Sequence, residues 1–323
     1  MSVQDLDLAV TFLDVGHGDA IIVRFREERQ VRTIVVDGGG PAHGGRLLAY
    51  LLRNGVATVD LMVATHVDRN HIAGLLPVAE SDKVAIENFW GPGSDSAQPS
   101  VAGLNLPDER AYQRLFSRIC SRVKPERVFC PVRGVPLPEL FRDAQLTVLN
   151  PQVPNVLAPL PNDAPARQAA HFLAEQNELS IVLHVESHGI RLLLGGDAQG
   201  PFWAAAAADP TTQRYLDVNI LKVPHYGRAA GLAAAAGGVL HTEYAVFSLS
   251  AKADKQPSES VLALFREMGC EVLCTEHAAE NSFCANPHCH AAKGGQNIVF
   301  CRCRGDASYS TSAYFCPLTP GRP

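Results

Sequence analysis

No apolar run in this sequence approaches the ~18 to 20 residues of a membrane span, so a bilayer-crossing helix is not expected. A basic patch followed by an apolar stretch is also missing from the beginning: Met1 to Asp7 carries acidic residues there, and a cytoplasmic protein is the expectation. Positive charge is not in excess. With 28 Lys and Arg against 33 Asp and Glu, the net charge of -5 gives no general attraction to nucleic acid, and any such contact needs a local basic patch. Charged residues make up only 19% and hydrophobic ones 46%, the balance of an ordinary soluble globule. Nine cysteines include no C-x-x-C pair. Their odd number, and the crowding of seven between Cys270 and Cys316, argue in a reducing compartment for zinc or plain thiols rather than disulfides. No internal repeat is visible, and 323 residues suffice for one large α/β domain or two smaller ones.

What is present is strand-rich. Leu8 to Val15 and Ala20 to Phe25 are β-forming runs around Gly16-His17-Gly18-Asp19, and Val31 to Val36 ends at Asp37-Gly38-Gly39-Gly40. A helix is expected over Gly45 to Gly55, then a strand, Val59 to Val63, running into His66. Gly91 to Pro107 reads as a long loop. Asp108 to Lys124 reads as a helix with Tyr112, Leu115, Phe116, Ile119 and Val123 on one side. Beside that face Arg110, Arg114, Arg118 and Arg122 form a stripe, suited either to gripping phosphates or to lying in solvent. Strands follow at Gln145 to Leu149, in a hairpin over Leu179 to Leu194, and at Val218 to Val223; a strand, a helix and a short strand then run from Glu243 to Thr275.

The densest chemistry lies in Ala64-Thr65-His66-Val67-Asp68-Arg69-Asn70-His71: two imidazoles, a carboxylate and a carboxamide leaving a buried strand together. Nitrogen and oxygen donors converging from a strand end suit a divalent metal. Asp37, Asp197 and His225 stand at other strand ends. Asp14, Asp19 and Asp37 are expected to hold turns by accepting backbone hydrogen bonds.

The ordered motifs Asp14-Val15-Gly16-His17-Gly18-Asp19, Asp37-Gly38-Gly39, Thr65-His66 through Gly74, Asn177-Glu178-Leu179-Ser180, Gly196-Asp197 and Leu221-Lys222-Val223-Pro224-His225-Tyr226-Gly227 resemble the metallo-β-lactamase fold superfamily. Within it they resemble most the soluble domain of ComEC-type competence proteins and their free-standing relatives. The resemblance covers residues 9 to 277. It implies a four-layered αββα sandwich over 1–277, with a cysteine-rich extension, 278–323, packed on it. It also implies one or two divalent ions, zinc or manganese. Asp197 would bridge, His66 and Asp68 would serve one ion, and residue 70, His71 and His225 the other. Metal-bound hydroxide would then hydrolyse a phosphodiester of nucleic acid or a nucleotide. Asp68, Asn70, Asp197, Lys222 and Tyr226 are the implied catalytic group, with Lys222 meeting a scissile phosphate, and His17 faces substrate or has a structural role.

Two residues depart from the pattern. Asn70 stands where the family has a carboxylate, and Tyr226 replaces the second histidine of its H-H-G motif. A non-catalytic metal-binding module, or a subunit that recruits a partner protein in a complex such as a defence complex, is therefore a competing expectation, as is hydrolysis of another small ester or amide. Separately, Cys274, Cys284, His288, Cys289 and Cys301 offer soft ligands for a structural zinc, or are buried or surface thiols.

Overall fold

The computed structural model describes residues 6–92, 107–152, 177–228, 232, 238–250, 257–276, 297–303 and 314–316. The first half holds β1 (Leu6–Phe12), β2 (Ile21–Glu27), β3 (Gln30–Val36), α1 (Arg46–Arg53), β4 (Thr58–Val59), β5 (Leu61–Val63), α2 (Arg69–Ile72), α3 (Leu75–Glu80), β6 (Ala85–Ile86), β7 (Phe89–Trp90), α4 (Pro107–Cys120) and β8 (Val128–Phe129). The second half holds β9 (Ala144–Asn150), β10 (Val182–Ser187), β11 (Ile190–Leu194), α5 (Gly200–Ala208), α6 (Pro210–Gln213), β12 (Asp217–Lys222), β13 (His241–Phe247), α7 (Glu259–Met268), β14 (Glu271–Cys274), β15 (Asn297–Cys303) and β16 (Tyr314–Cys316).

These strands form two large sheets, in the orders β16-β15-β1-β2-β3-β5-β7-β8 and β14-β13-β12-β11-β10-β9. Alternation decides how they stack. Along β2, Ile21, Val23 and Phe25 face the second sheet and meet Leu183, Leu192 and Val246, while Ile22 points the other way. That outer face, with Val35 and Met62, is covered by Leu47 and Leu51 of α1, Val78 of α3, and Leu115 and Ile119 of α4. The outer face of the second sheet, Leu193, Leu221 and Phe247, is covered by Trp203 of α5 and Phe265 of α7. The result is the four-layered αββα sandwich the motifs implied.

The sheets are mixed, and this positions the candidate residues. β3 runs parallel to β5, and β11 runs parallel to β12. Parallel neighbours end side by side, so the loops after β3 and β5 leave together, as do those after β11 and β12; ligand sites of open sheets lie at such carboxyl ends.

Some elements carry no periodic signal. β7 and β8 are two residues long and α3 is six, too short for alternation or a helical stripe to register. The expected loop at Gly91 to Pro107 falls mostly outside the described residues. The described part of the segment after residue 278, β15 and β16, continues the first sheet past β1. Among the described residues no helix is long and apolar enough to cross a membrane.

The second sheet buries a histidine away from the strand ends. His184 of β10 is 3% exposed and packs against Tyr215. Burial, then the charge of Arg191, pushes its pKa down to about 4. Because the folded state prefers the neutral ring, its contribution is complete above the ordinary histidine value and is lost as pH falls from about 6.5 towards 4. Urea unfolding at pH 7 and pH 4.5 is expected to show a loss of up to about 3 kcal/mol from this residue. A His184→Gln protein should show a correspondingly smaller loss.

Candidate metal centre

Three loops meet backbone to backbone at the ends of β3 and β5, and glycine makes this possible. Gly38 N–H donates to the His71 carbonyl at 2.6 Å, Gly39 N–H to Asp19 at 2.7 Å, and Gly74 N–H to Gly39 at 3.0 Å. A Cβ on Gly38 would lie 2.4 Å from the Leu75 nitrogen, and one on Gly18 would lie on the Asn70 carbonyl. Close approach, rather than turn formation alone, explains these glycines. The contacts bring Asp19, Asp37 and His71 into one buried cluster.

Asp37, held in the left-handed region at φ 58°, organises the donors. Its carboxylate accepts from Thr65 N–H at 2.8 Å, from the Thr65 hydroxyl at 2.7 Å, and from His71 Nδ1 at 2.7 Å. Since the Thr65 hydroxyl donates to Asp37, its oxygen accepts from His66 Nδ1 at 2.9 Å. Hence His66 carries its proton on Nδ1 and turns a bare Nε2 inward, the orientation that outer hydrogen bonds impose on metal-binding histidines. Burial, then the neighbouring His71, pushes His66 down to about 3, so the ring is neutral.

The second sheet supplies Asp197 through Gly195 and Gly196 at the end of β11. Its backbone N–H donates to Ser180 Oγ at 3.1 Å, and its Oδ2 lies 3.9 Å from His66 Nε2 and 3.4 Å from His71 Nε2. His66 Nε2, Asp197 Oδ1 and Asp19 Oδ1 are buried without a hydrogen-bond partner. His66, His71 and Asp197 thus converge as a set able to hold a divalent ion, and the two bare donors are what such an ion would satisfy.

Charge points the same way. Asp19, Asp37 and Asp197 are all buried, and the enclosed ammonium nearest to them is that of Lys222. Lys222 pairs with Asp19, lies 3.6 Å from Asp197 Oδ1 and donates to the Gly196 carbonyl at 2.8 Å. Burial opposes its charge, yet Asp19 and Asp197 hold its pKa above the usual lysine value. Burial also lowers His71, but Asp197 and Asp37 reverse this and hold it well above its ordinary range, making it a second cation. Burial raises Asp197, and His71 and Lys222 reverse that in turn. At 0% exposure Lys222 is a counter-charge within the cluster.

Around position 70 the structure departs from an open two-ion site. The Asn70 carboxamide turns its nitrogen to the Asp68 carboxylate, 2.7 Å from Oδ2, and its oxygen to the Tyr226 hydroxyl at 2.5 Å, because the reverse would set oxygen against oxygen at Asp68. The same hydroxyl lies 2.5 Å from His71 Nε2. A continuous chain, Asp68–Asn70–Tyr226–His71, therefore fills this side. Tyr226 reaches it because His225, Tyr226 and Gly227 are consecutive left-handed residues at φ 48°, 55° and 78°. Its ring is 4.1 Å from that of His17 and 5.3 Å from the Lys222 ammonium. Like Lys222, Tyr226 is enclosed, 1% exposed, and His17 packs on it. Partly exposed Asp68, Asn70 and His225 border the cluster, with His225 Nδ1 3.0 Å from Gln199 Nε2.

The remaining candidates lie apart. Arg114 pairs with Glu80 at 2.8 Å, and Arg122 donates to the carbonyls of Ala79, Ser81 and Val84, so these two tie α4 and the turn after it to α3 and its exit. Arg110 and Arg118 are exposed on α4. Cys274 is buried on β14 of the second sheet and Cys301 lies on β15 of the first, while Cys284, His288 and Cys289 fall outside the described residues. Sequence reasoning passed over Thr65 and Gln199. Thr65 had a signal, its place between the strand and His66; Gln199 had none.

No protein-family model matches this chain, and no curated protein matches it. Among solved structures it is similar to the metallo-beta-lactamase fold protein YhfI from Bacillus subtilis, at 12% identity over 83% of this chain and 96% of that one, with a TM-score of 0.46. It is also similar to a diphosphatase from the PhnP family, at 13% identity, 91% and 98% coverage and a TM-score of 0.43. A third is Zn(2+)-bound PqqB from Methylobacterium extorquens, at 10% identity, 82% and 97% coverage and a TM-score of 0.45.

Proposed function

We propose that this protein is a metal-dependent hydrolase of phosphodiester bonds in nucleic acid or nucleotides. The observation that carries the reading is the pair of partnerless buried donors, His66 Nε2 and Asp197 Oδ1, beside His71 in a cluster with more carboxylates than cations. His66, His71 and Asp197 would hold the ion, with Asp68 and His225 at the exposed side. A divalent ion, zinc or manganese, would supply Lewis acidity and lower the pKa of water.

The chain's own residues do the rest. Asp37 and Thr65 orient both imidazoles, Ser180 orients Asp197, and Lys222 keeps the Asp19 carboxylate compensated within the protein. Substrate approaches past Asp68, Asn70 and His225, the partly exposed members. An anionic substrate is supported by Arg228, which is exposed next to Gly227 and whose backbone N–H donates to the His225 carbonyl at 2.7 Å. The motif resemblance to the ComEC-type branch supports a phosphodiester in particular.

A second reading is a non-catalytic metal-binding module that serves a partner protein. What favours it is the Asp68–Asn70–Tyr226–His71 chain, which ties up three of the side chains that the motif would assign to ions.

Purified protein is expected to take up zinc or manganese and to cleave a generic phosphodiester, and Asp197→Ala should lose both; absence of metal uptake in the wild type would end the reading. Metal without turnover, with turnover appearing in Asn70→Asp, would select the second reading. Asp37→Asn leaves every donor atom in place but weakens the hydrogen bonds that aim them. Its metal affinity, measured by chelator competition, should fall roughly 10- to 100-fold.

A further inference from the structure

The Tyr226 hydroxyl has a place in this cluster that the reading above does not use. It lies 2.5 Å from His71 Nε2, the one donor of the converging set that is not bare. Because the Tyr226 hydroxyl gives its proton to the Asn70 oxygen, it accepts from His71 Nε2–H, and a nitrogen bonded to Tyr226 through its proton has no lone pair for an ion, so the two arrangements exclude each other.

Resting on the reading that His66, His71 and Asp197 hold a metal, we propose that Tyr226 is an internal competitor for the ion: its hydroxyl occupies the coordination position on His71, and metal enters by displacing it. The tyrosine is built in for this. Its ring is fixed between His17 and the Lys222 ammonium, and its backbone is set by the left-handed turn through Gly227. At Gly227 a Cβ would lie 2.6 Å from the Phe247 ring, which holds the turn to glycine. The hydroxyl is further engaged by Asn70, whose carboxamide is anchored on Asp68. Competition thus links the partly exposed Asp68 to occupancy of a fully buried site: whatever draws Asp68 or Asn70 outward loosens Tyr226 and favours the ion.

The test is metal affinity, not turnover. Zinc and manganese dissociation constants are measured by chelator competition, with bound metal counted per chain, in wild type, Tyr226→Phe and Asn70→Ala. Tyr226→Phe keeps the ring and its packing and removes only the competitor. It is expected to bind about tenfold more tightly, the equivalent of one buried hydrogen bond. Asn70→Ala frees the hydroxyl from its second partner and is expected to move in the same direction by less. It also decides the matter if the phenylalanine protein does not fold. Unchanged or weaker binding in these variants would overturn the competitor role while leaving the metal reading intact. A wild type that binds no metal would overturn both.

Discussion

Three buried carboxylates set the terms for this end of the molecule. Removing Asp19, Asp37 and Asp197 from water is costly unless each finds a cation or several hydrogen-bond donors. Asp37 is satisfied by Thr65 and His71, whereas Asp19 pairs with Lys222 through Oδ2 and keeps Oδ1 without a hydrogen-bond partner. Asp197 faces His66, His71 and Lys222 yet keeps one oxygen without a partner. The lysine and the raised pKa of His71 follow from this need for compensation, and so does the room for a divalent ion.

The same need accounts for the glycines. Hydrogen bonds from thin, closely packed backbone can reach a buried carboxylate cluster only if the loops have no side chains between them. Gly18, Gly38 and Gly74 let the loops after β1, β3 and β5 touch directly, and the carbonyls of Asp19, Gly39 and His71 then accept from neighbouring loops. Backbone polar groups are paired and the carboxylates are fixed in one step. The second sheet closes the cluster by a similar device, with the Gly196 carbonyl accepting from both Lys222 and the His225 backbone.

Asn70 and Tyr226 give the centre its individual character. A carboxylate at 70 would be repelled by Asp68, whereas the amide bridges from Asp68 to the Tyr226 hydroxyl. The two departures from the motif are therefore one coupled feature, an amide that needs an acceptor on one side and a donor on the other. Read alone, Asn70 looked like a lost carboxylate and Tyr226 like a lost imidazole; together they form a hydrogen-bonded chain ending on His71.

Much was legible beforehand because it depends on local pattern. Alternating apolar residues marked the long strands, the heptad-like face of Tyr112, Leu115 and Ile119 marked α4, and the ordered motifs pointed to strand ends bearing His66, Asp197 and His225. The amino-acid sequence by itself determined which residues carry imidazole and carboxylate donors and that they leave strands, since periodicity and donor type are properties of short segments. Only the tertiary structure decided that Lys222 turns inward to Asp19, that Arg122 is spent on carbonyls of α3 and its exit, and that Tyr226 reaches His71 across 155 positions. The placements of Lys222 and Tyr226 depend on parallel pairing of β3 with β5 and of β11 with β12, and on a left-handed turn, which bring distant groups within hydrogen-bond reach. Such distances are set by how sheets pack, and no local spacing encodes them.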